Sequence, residues 1–127
     1  MSDSANPLRL PALHESGNQV DQEFLSQKEI LRNLILQIRK DFDSAGIPIK
    51  LLLNKRYSFI EMAQIVSDAF MQSGATAMFN LLYRVDVSEK QLREGMPTPG
   101  IDPILVAELV IKRELQKVVL RKQYSKQ

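Results

Sequence analysis

The clearest arrangement of chemically active side chains in this sequence is a row of cations near the C-terminus. Arg113, Lys117 and Arg121 are spaced by four residues, so they line up along one side of a helix. Lys112 and Lys122 flank them. Aligned cations can follow a phosphate backbone, and such binding weakens steeply as salt rises. Arg113, Lys117 and Arg121, here termed the basic stripe, are predicted to contact nucleic acid or another partner.

Other features favour a different interpretation, in which the basic stripe is only a solvent-exposed side of its helix and contacts no partner. Tyr124 is the one aromatic residue close to it, whereas base stacking normally uses interleaved aromatic rings. The helix dipole alone favours cations near a helix C-terminus. Residues 111–127 hold six cations and one carboxylate, yet the net charge of the whole chain is only +2, so the preceding part is net acidic. Nucleic-acid association is therefore the alternative interpretation. Binding of this helix to an anionic membrane is a weaker one, because its apolar residues are those that a helical core requires.

Acid–base catalysis would have to use carboxylates, because other catalytic groups are scarce. The chain has no cysteine and a single histidine, His14, so it offers no Cys–His or Ser–His arrangement. Glu61, Asp68, Asp86 and Glu89 are the candidate acids and bases. Two of these four fit capping positions at helix N-termini, which stabilise a helix by ~0.5–2 kcal/mol each. We predict no catalytic residue and favour a protein that is not an enzyme.

The sequence also offers little support for a metal site or a nucleotide site. One histidine and no cysteine cannot supply the usual nitrogen and sulfur ligands. Asp41 and Asp43 lie two residues apart near a predicted helix end, so their carboxylates point to different faces rather than towards one Mg²⁺ or Ca²⁺ ion. The five glycines form neither a GxGxxG nor a GxxxxGK[ST] motif. We therefore predict no metal ligand, no cofactor-binding residue and no cofactor.

Apolar residues recur at helical spacing through most of the chain, which predicts an all-α fold. The first helix is predicted from about Gln19 to Ala45, since apolar residues repeat every three, four or seven positions within it. The stretch from Ile49 to Arg56 fits a strand or a short helix, and we favour the helix because no second strand-like segment exists to pair with a strand. Further helices are predicted over about 59–73, 76–83, 86–95 and 103–124.

Residues that favour helix ends lie at the boundaries of these segments. The predicted N-terminal caps are Ser58 with Glu61 in a capping box, Asp86 with Glu89, and Asp102 with Pro103. Gly46 suits the left-handed position after the first helix, where a Schellman motif would bring Phe42 and Ile47 together. Gly74 separates the two middle helices.

For two of the predicted helices, more than one interpretation of the sequence is possible, and the choice affects the predicted function. Residues 58–83 have the layout of a helix-turn-helix, but the second helix offers only Thr76, Asn80 and Arg84 as exposed polar residues among five large apolar ones, so core packing is favoured. The last helix carries apolar residues on more than one side, which indicates that it is either central in the fold or buried in an interface. The residues off its main apolar row are Leu105, Leu109, Val119 and Leu120.

These patterns predict a compact bundle of five to six helices. Residues 1–17 are predicted to form a flexible N-terminal arm and residues 18–127 a single helical domain, in which the long first and last helices pack together. The N-terminus does not look like a signal peptide, and no apolar run approaches the ~20 residues of a transmembrane helix, so we expect a cytoplasmic protein. By elimination we expect a non-enzymatic protein-interaction module that binds a protein partner or a second copy of itself.

Overall fold

The computed structural model describes residues 19–95 and 102–124, and in these ranges the chain forms six α-helices and no strand. The helices are α1 (Gln19–Leu25), α2 (Lys28–Ser44), α3 (Phe59–Ser73), α4 (Ala75–Val85), α5 (Glu89–Gly95) and α6 (Pro103–Tyr124). The prediction of an all-α bundle with five to six helices is confirmed. The predicted N-terminal arm, with His14, lies outside the described residues.

Helix α6 lies at the centre of the bundle. It packs mainly against α3 and α2, and to a smaller extent against α4 and α5. Its buried apolar residues come from several sides of the helix: Val106, Ala107, Leu109, Val110, Ile111, Leu115, Val118 and Val119. Of the two interpretations of its many apolar positions, the central one is therefore correct for these residues. No helix within the described ranges combines the length and apolar character needed to cross a membrane.

The predicted helix from Gln19 to Ala45 is wrong in one respect, because it is broken into α1 and α2. Gln27 has an extended backbone, with φ −83° and ψ 116°, and its N–H donates to the carbonyl of Phe24 at 3.1 Å. The hydroxyl of Ser26 donates to the carbonyl of Glu23 at 2.7 Å. The turn brings α1 back against α2 and α3. Apolar spacing could not reveal the break, because both pieces keep the helical period.

The predicted short helix over Ile49 to Arg56 is also wrong. Residues 45–58 form a loop that includes a turn at positions 53 and 54. Leu51 and Tyr57 are buried, and the Leu52 N–H donates to Tyr57 Oη at 3.0 Å. The N–H of Lys55 donates to the carbonyl of Leu52 at 3.4 Å. The side chain of Tyr57 thus satisfies a backbone group that a helix would otherwise have satisfied.

Most of the predicted helix ends are correct. Helix α2 ends in the predicted Schellman motif: Gly46 has φ 74°, and the Ile47 N–H donates to the carbonyl of Phe42 at 2.9 Å. The capping box of α3 is complete, with the Glu61 N–H donating to Ser58 Oγ at 3.1 Å and the Ser58 N–H donating to Glu61 Oε1 at 2.9 Å. These contacts fix where loop 45–58 begins and ends.

The predicted cap of α5 by Asp86 and Glu89 is wrong. Asp86 instead follows α4 in the left-handed conformation, with φ 65° and ψ 49°, which aspartate tolerates better than most residues. Ser88 caps α5: its Oγ accepts from the Gln91 N–H at 3.1 Å, while Gln91 Oε1 accepts from the Ser88 N–H at 2.8 Å. The cap of α6 is as predicted, because Asp102 Oδ1 accepts from the N–H two residues later at 3.1 Å.

Candidate functional site

The basic stripe lies on α6, and each of its members lies close to a polar group of its own chain. Arg113 Nη2 lies 3.3 Å from Asp86 Oδ2, at the end of α4. Lys117 is mostly buried, with 25% of its side chain exposed beside a carboxylate of α6. Arg121 donates through Nη2 to Gln37 Oε1 of α2 at 3.2 Å. The stripe therefore follows the junctions of α6 with α4 and α2, where a ligand would have to compete with these contacts.

The two cations expected beside the stripe have different environments. Lys112 is buried; its Nζ lies 3.1 Å from Asp21 Oδ2 and 5.7 Å from the centroid of the Phe59 ring. Lys122 Nζ lies 3.1 Å from Glu29 Oε2, with 23% of its side chain exposed. The expectation that Lys112 flanks an exposed row is wrong. Successive residues of a helix are rotated by about 100°, which turns Lys112 away from Arg113 and into the core.

A second buried ionisable residue of α6, Glu114, faces Asp41 of α2. Both are buried, and Gln37 Nε2 donates to Asp41 Oδ2 at 2.9 Å. Lys117 Nζ lies 3.7 Å from Glu114 Oε1, within ion-pair distance. No N–H or O–H group of the described residues hydrogen-bonds to either oxygen of Glu114. Two carboxyl groups can share a hydrogen bond only when one of them carries a proton, because a carboxylate has no donor of its own.

The surroundings of these carboxyl groups move their pKa values in opposite directions. Burial, then the hydrogen bond to Asp41 and its charge, raises the pKa of Glu114 to about 9, against the smaller effect of Lys117. Burial also acts to raise the pKa of Asp41, but hydrogen bonds to Glu114 and Gln37 and the charges of Lys117 and Arg84 together lower it. At neutral pH Glu114 therefore keeps its proton and Asp41 is ionised.

Paired carboxyl groups with separated pKa values are typical of acid–base catalysts, but this pair is closed to solvent. In the described part of the chain, α2 and loop 45–58 form two open grooves of about 450 and 350 Å³. Neither is lined by Asp41 or Glu114. A general acid has to come within hydrogen-bond reach of its substrate. The pair therefore acts as a contact between α2 and α6.

The carboxylates considered as catalytic candidates make local contacts. Hydrogen bonds from the N–H and the hydroxyl of its capping partner lower the pKa of Glu61. Asp68 Oδ1 accepts a hydrogen bond from the glutamine one turn earlier, at 3.0 Å. Asp86 contacts the basic stripe, and the side chain of Glu89 lies outside the described residues. Over 19–95 and 102–124, no three histidine or carboxylate side chains come together in a way that could hold a metal ion.

Helix α4 has an exposed aromatic face. Phe79 and Tyr83 lie one turn apart, and 46% and 89% of their surfaces are exposed. Thr76, Asn80 and Arg84 are exposed beside them, as the sequence predicts. The prediction that this helix fills the core is thus correct for one side only, which carries Met78, Leu81, Leu82 and Val85. The five exposed residues Thr76, Phe79, Asn80, Tyr83 and Arg84 are termed the α4 face.

Two features that the sequence patterns did not predict, the buried Glu114 and the exposed aromatic side of α4, each have a signal in the sequence. Glu114 lies between Val110 and Val118 at spacings of four, so the carboxylate interrupts an apolar row. In α4 the buried residues already form a complete row at spacings of three and four, which leaves Phe79 and Tyr83 on the opposite side. The number of apolar residues in this segment does not indicate the arrangement, because it contains no information on which side of the helix each residue lies.

Comparisons of the chain with protein-family models, with curated proteins and with solved structures find no match.

Proposed function

We propose that this protein is a non-enzymatic protein-interaction module that binds its partner through the α4 face. The observation that carries the proposal is the exposure of Phe79 and Tyr83 on a helix whose other side already completes a packed core. An exposed pair of aromatic rings on a rigid helix resembles the central anchors of protein interfaces, where tyrosine, tryptophan and arginine are enriched. Arg84 and the Asn80 amide provide a polar rim beside the rings.

A second copy of the chain is the partner to be tested first. Antiparallel pairing of two α4 helices about a twofold axis would place Phe79 of one copy against Tyr83 of the other, and the reverse. Offset or edge-to-face contact between such rings contributes about 0.5–1.5 kcal/mol beyond the buried area. The α4 face carries one cation and no carboxylate, so the two Arg84 side chains have to point to the rim for this pairing to form.

Site-specific photo-crosslinking tests the proposal. A benzophenone amino acid at position 83 is expected to crosslink to a second copy or to a protein of the source lysate, and the Phe79→Ala change is expected to suppress the product. The same probe at Lys90, whose side chain is 79% exposed on α5, is the control. Molar mass by light scattering distinguishes a homodimer from a complex with another protein. Equal crosslinking at positions 83 and 90, or a product that survives Phe79→Ala, would refute the proposal.

The alternative function, nucleic-acid association through Arg113, Lys117 and Arg121, stays a prediction. The intramolecular contacts of these residues do not favour it over the first proposal. Fluorescence anisotropy with labelled RNA and duplex DNA over a range of salt concentrations tests it. If the stripe contacts phosphates, replacing all three residues by alanine lowers the slope of log K against log salt by about three. An unchanged slope excludes the stripe as the contact.

A further inference from the structure

The surface formed by the end of α2 and loop 45–58 is strongly cationic. Arg39, Lys40, Lys50, Lys55 and Arg56 are all exposed. Over residues 39–56 the single exposed carboxylate is Asp43, because Asp41 is buried. None of these five cations forms an ion pair with a described residue, in contrast to Lys112, Arg113 and Lys122 of α6. This surface is termed the cationic face.

Loop 45–58, which presents Lys50, Lys55 and Arg56, has a fixed shape. Ile47, Leu51 and Tyr57 are buried and fasten it to the core at three points. The hydrogen bond from the Leu52 N–H to Tyr57 Oη closes its tip, and Lys55 Nζ lies 5.1 Å from the centroid of the Tyr57 ring. A loop fixed in this way loses little further conformational entropy when it binds a ligand.

Apolar groups lie among the cations. At the loop tip, 45% of the surface of Leu52 is exposed, and on α2 the exposed fraction of Leu36 is 43%. The two open grooves of about 450 and 350 Å³ meet at Arg39. Residues 47–49 line the first and residues 49–54 the second, so both have apolar walls beside cations. The ligand chemistry that fits is therefore an anion attached to a hydrocarbon.

We propose that the cationic face binds the surface of an anionic lipid bilayer, with its cations on lipid phosphates and carboxylates and Leu52 inserted among the acyl chains. The charge of the face is complementary to that of an anionic membrane, and exposed leucine among lysine and arginine is the composition of interfacial membrane contacts. Nucleic acid fits less well, because Tyr57 is buried and the face presents no exposed ring for base stacking. This inference is independent of the α4 face.

Flotation of the full chain with vesicles tests the inference. Binding is expected to vesicles of phosphatidylcholine with phosphatidylserine, to weaken as salt rises, and to be absent with phosphatidylcholine alone. The variant Lys50→Gln/Lys55→Gln/Arg56→Gln is expected to bind about a hundredfold more weakly, at roughly fivefold for each cation. The control variant Lys28→Gln/Lys90→Gln/Arg93→Gln removes the same charge from exposed positions at the start of α2 and on α5 and is expected to retain most of the binding.

A second pair of variants tests the insertion of the loop tip without changing charge. Leu52→Gln is expected to lower the residual binding at high salt, whereas Met71→Gln, at the far end of α3 with 70% of its surface exposed, is expected not to. Circular dichroism checks that all variants remain helical. Failure of the unmodified chain to bind the phosphatidylserine vesicles at low salt, or equal losses in the two triple variants, would overturn the inference. So would binding to RNA or duplex DNA without binding to vesicles.

Discussion

Two buried ionisable residues of α6, Lys112 and Glu114, show how single positions join the helices of this protein. They are two residues apart and point to different sides: Lys112 towards Asp21 of α1, and Glu114 towards Asp41 of α2. Burial of an ion costs several kcal/mol unless a partner compensates for the lost water. Each pair therefore stabilises one arrangement of its helices against arrangements that would separate the partners.

The pH dependence of stability tests the protonation of Glu114. Its pKa is raised from an ordinary 4.5 to about 9 in the folded chain, so the folded state holds one more proton than the unfolded state between these values. The free energy of unfolding should then fall as pH rises from 4.5 towards 9, by at most about 1.4 kcal/mol per pH unit. Glu114→Gln is expected to remove this slope. Urea unfolding at several pH values measures it, and equal slopes in both proteins would contradict the prediction.

Asp41 is expected to behave in the opposite way. Its pKa is lowered in the folded chain, so its contribution to stability is present above the ordinary value of 3.8 and is lost as pH falls further. Asp41→Asn should therefore reduce the loss of stability in acid. The same urea series, extended to lower pH, measures this change. The prediction fails if wild type and variant lose stability in parallel below pH 4.

The buried ion pair of Asp21 and Lys112 is expected to respond differently to single and double replacement. Asp21→Asn or Lys112→Met leaves a buried group without its charged partner and should lower the free energy of unfolding by about 3–5 kcal/mol. The double variant Asp21→Leu/Lys112→Met should recover most of that loss. A double-mutant cycle by urea unfolding measures the coupling, and additive losses would show that the two charges do not act as a pair.

At the scale of elements, the ends of the helices decide how the chain passes from one to the next. Two glycines with positive φ mark these points: Gly46 ends α2, with φ 74°, and Gly74 joins α3 to α4, with φ 89° and ψ 171°. A Cβ atom built on either glycine meets no other atom within 4 Å. The glycines are therefore required by backbone conformation and not by space.

The two glycines are expected to differ in their tolerance of asparagine. Gly46→Ala should cost about 1–2 kcal/mol, and Gly46→Asn less, because asparagine enters the left-handed helical region more easily. Gly74 occupies a region essentially restricted to glycine, so Gly74→Ala and Gly74→Asn should both cost about 1–3 kcal/mol. Thermal or urea unfolding of the four variants measures these values. A smaller cost for Gly74→Asn than for Gly46→Asn would contradict this assignment.

At the scale of the whole molecule, the core is shared by helices that are distant in sequence. The rings of Phe42 in α2 and Phe70 in α3 stack with centroids 5.8 Å apart, and α6 packs against both helices. Loop 45–58 joins the same core through Ile47, Leu51 and Tyr57. Loss of any one of these helices would expose apolar surface on the others, which favours cooperative unfolding.

A single unfolding transition is therefore expected for the described core. The chain has no tryptophan, so buried Tyr57 is a natural fluorescence probe of the loop once Tyr83 and Tyr124 are replaced by phenylalanine. Its fluorescence and the far-ultraviolet circular dichroism of the helices should change at the same urea concentration. Earlier loss of the Tyr57 signal would mean that loop 45–58 unfolds separately from the helices.

The order of the helices and most of their ends could be predicted from the sequence. Helical apolar spacing, the capping box of Ser58 and Glu61, and the glycine after α2 are local signals, and local backbone geometry follows them. The wrong cap of α5 arose between two local signals, since Ser88 and Gln91 cap the helix in place of Asp86 and Glu89. The other two errors lie where a local signal competed with a distant contact. Residues 49–56 carry apolar residues without a helix, because Tyr57 and the core hold them as a loop, and the turn between α1 and α2 returns α1 to a partner in α6.

Composition and periodicity were enough to indicate the all-α class and the scarcity of catalytic groups, because both can be read from neighbouring residues. They left open whether the last helix is central or lies in an interface, and the packing of α6 against α2 and α3 decided this. Tertiary structure alone decided which charged groups are free. It gave the cations of α6 partners from α1, α2, α4 and α6 itself, and it left those of α2 and loop 45–58 exposed. The ion pairs of Lys112, Arg113 and Lys122 all join α6 to residues far away in the sequence, so only the fold brings these charges within a few ångströms of each other.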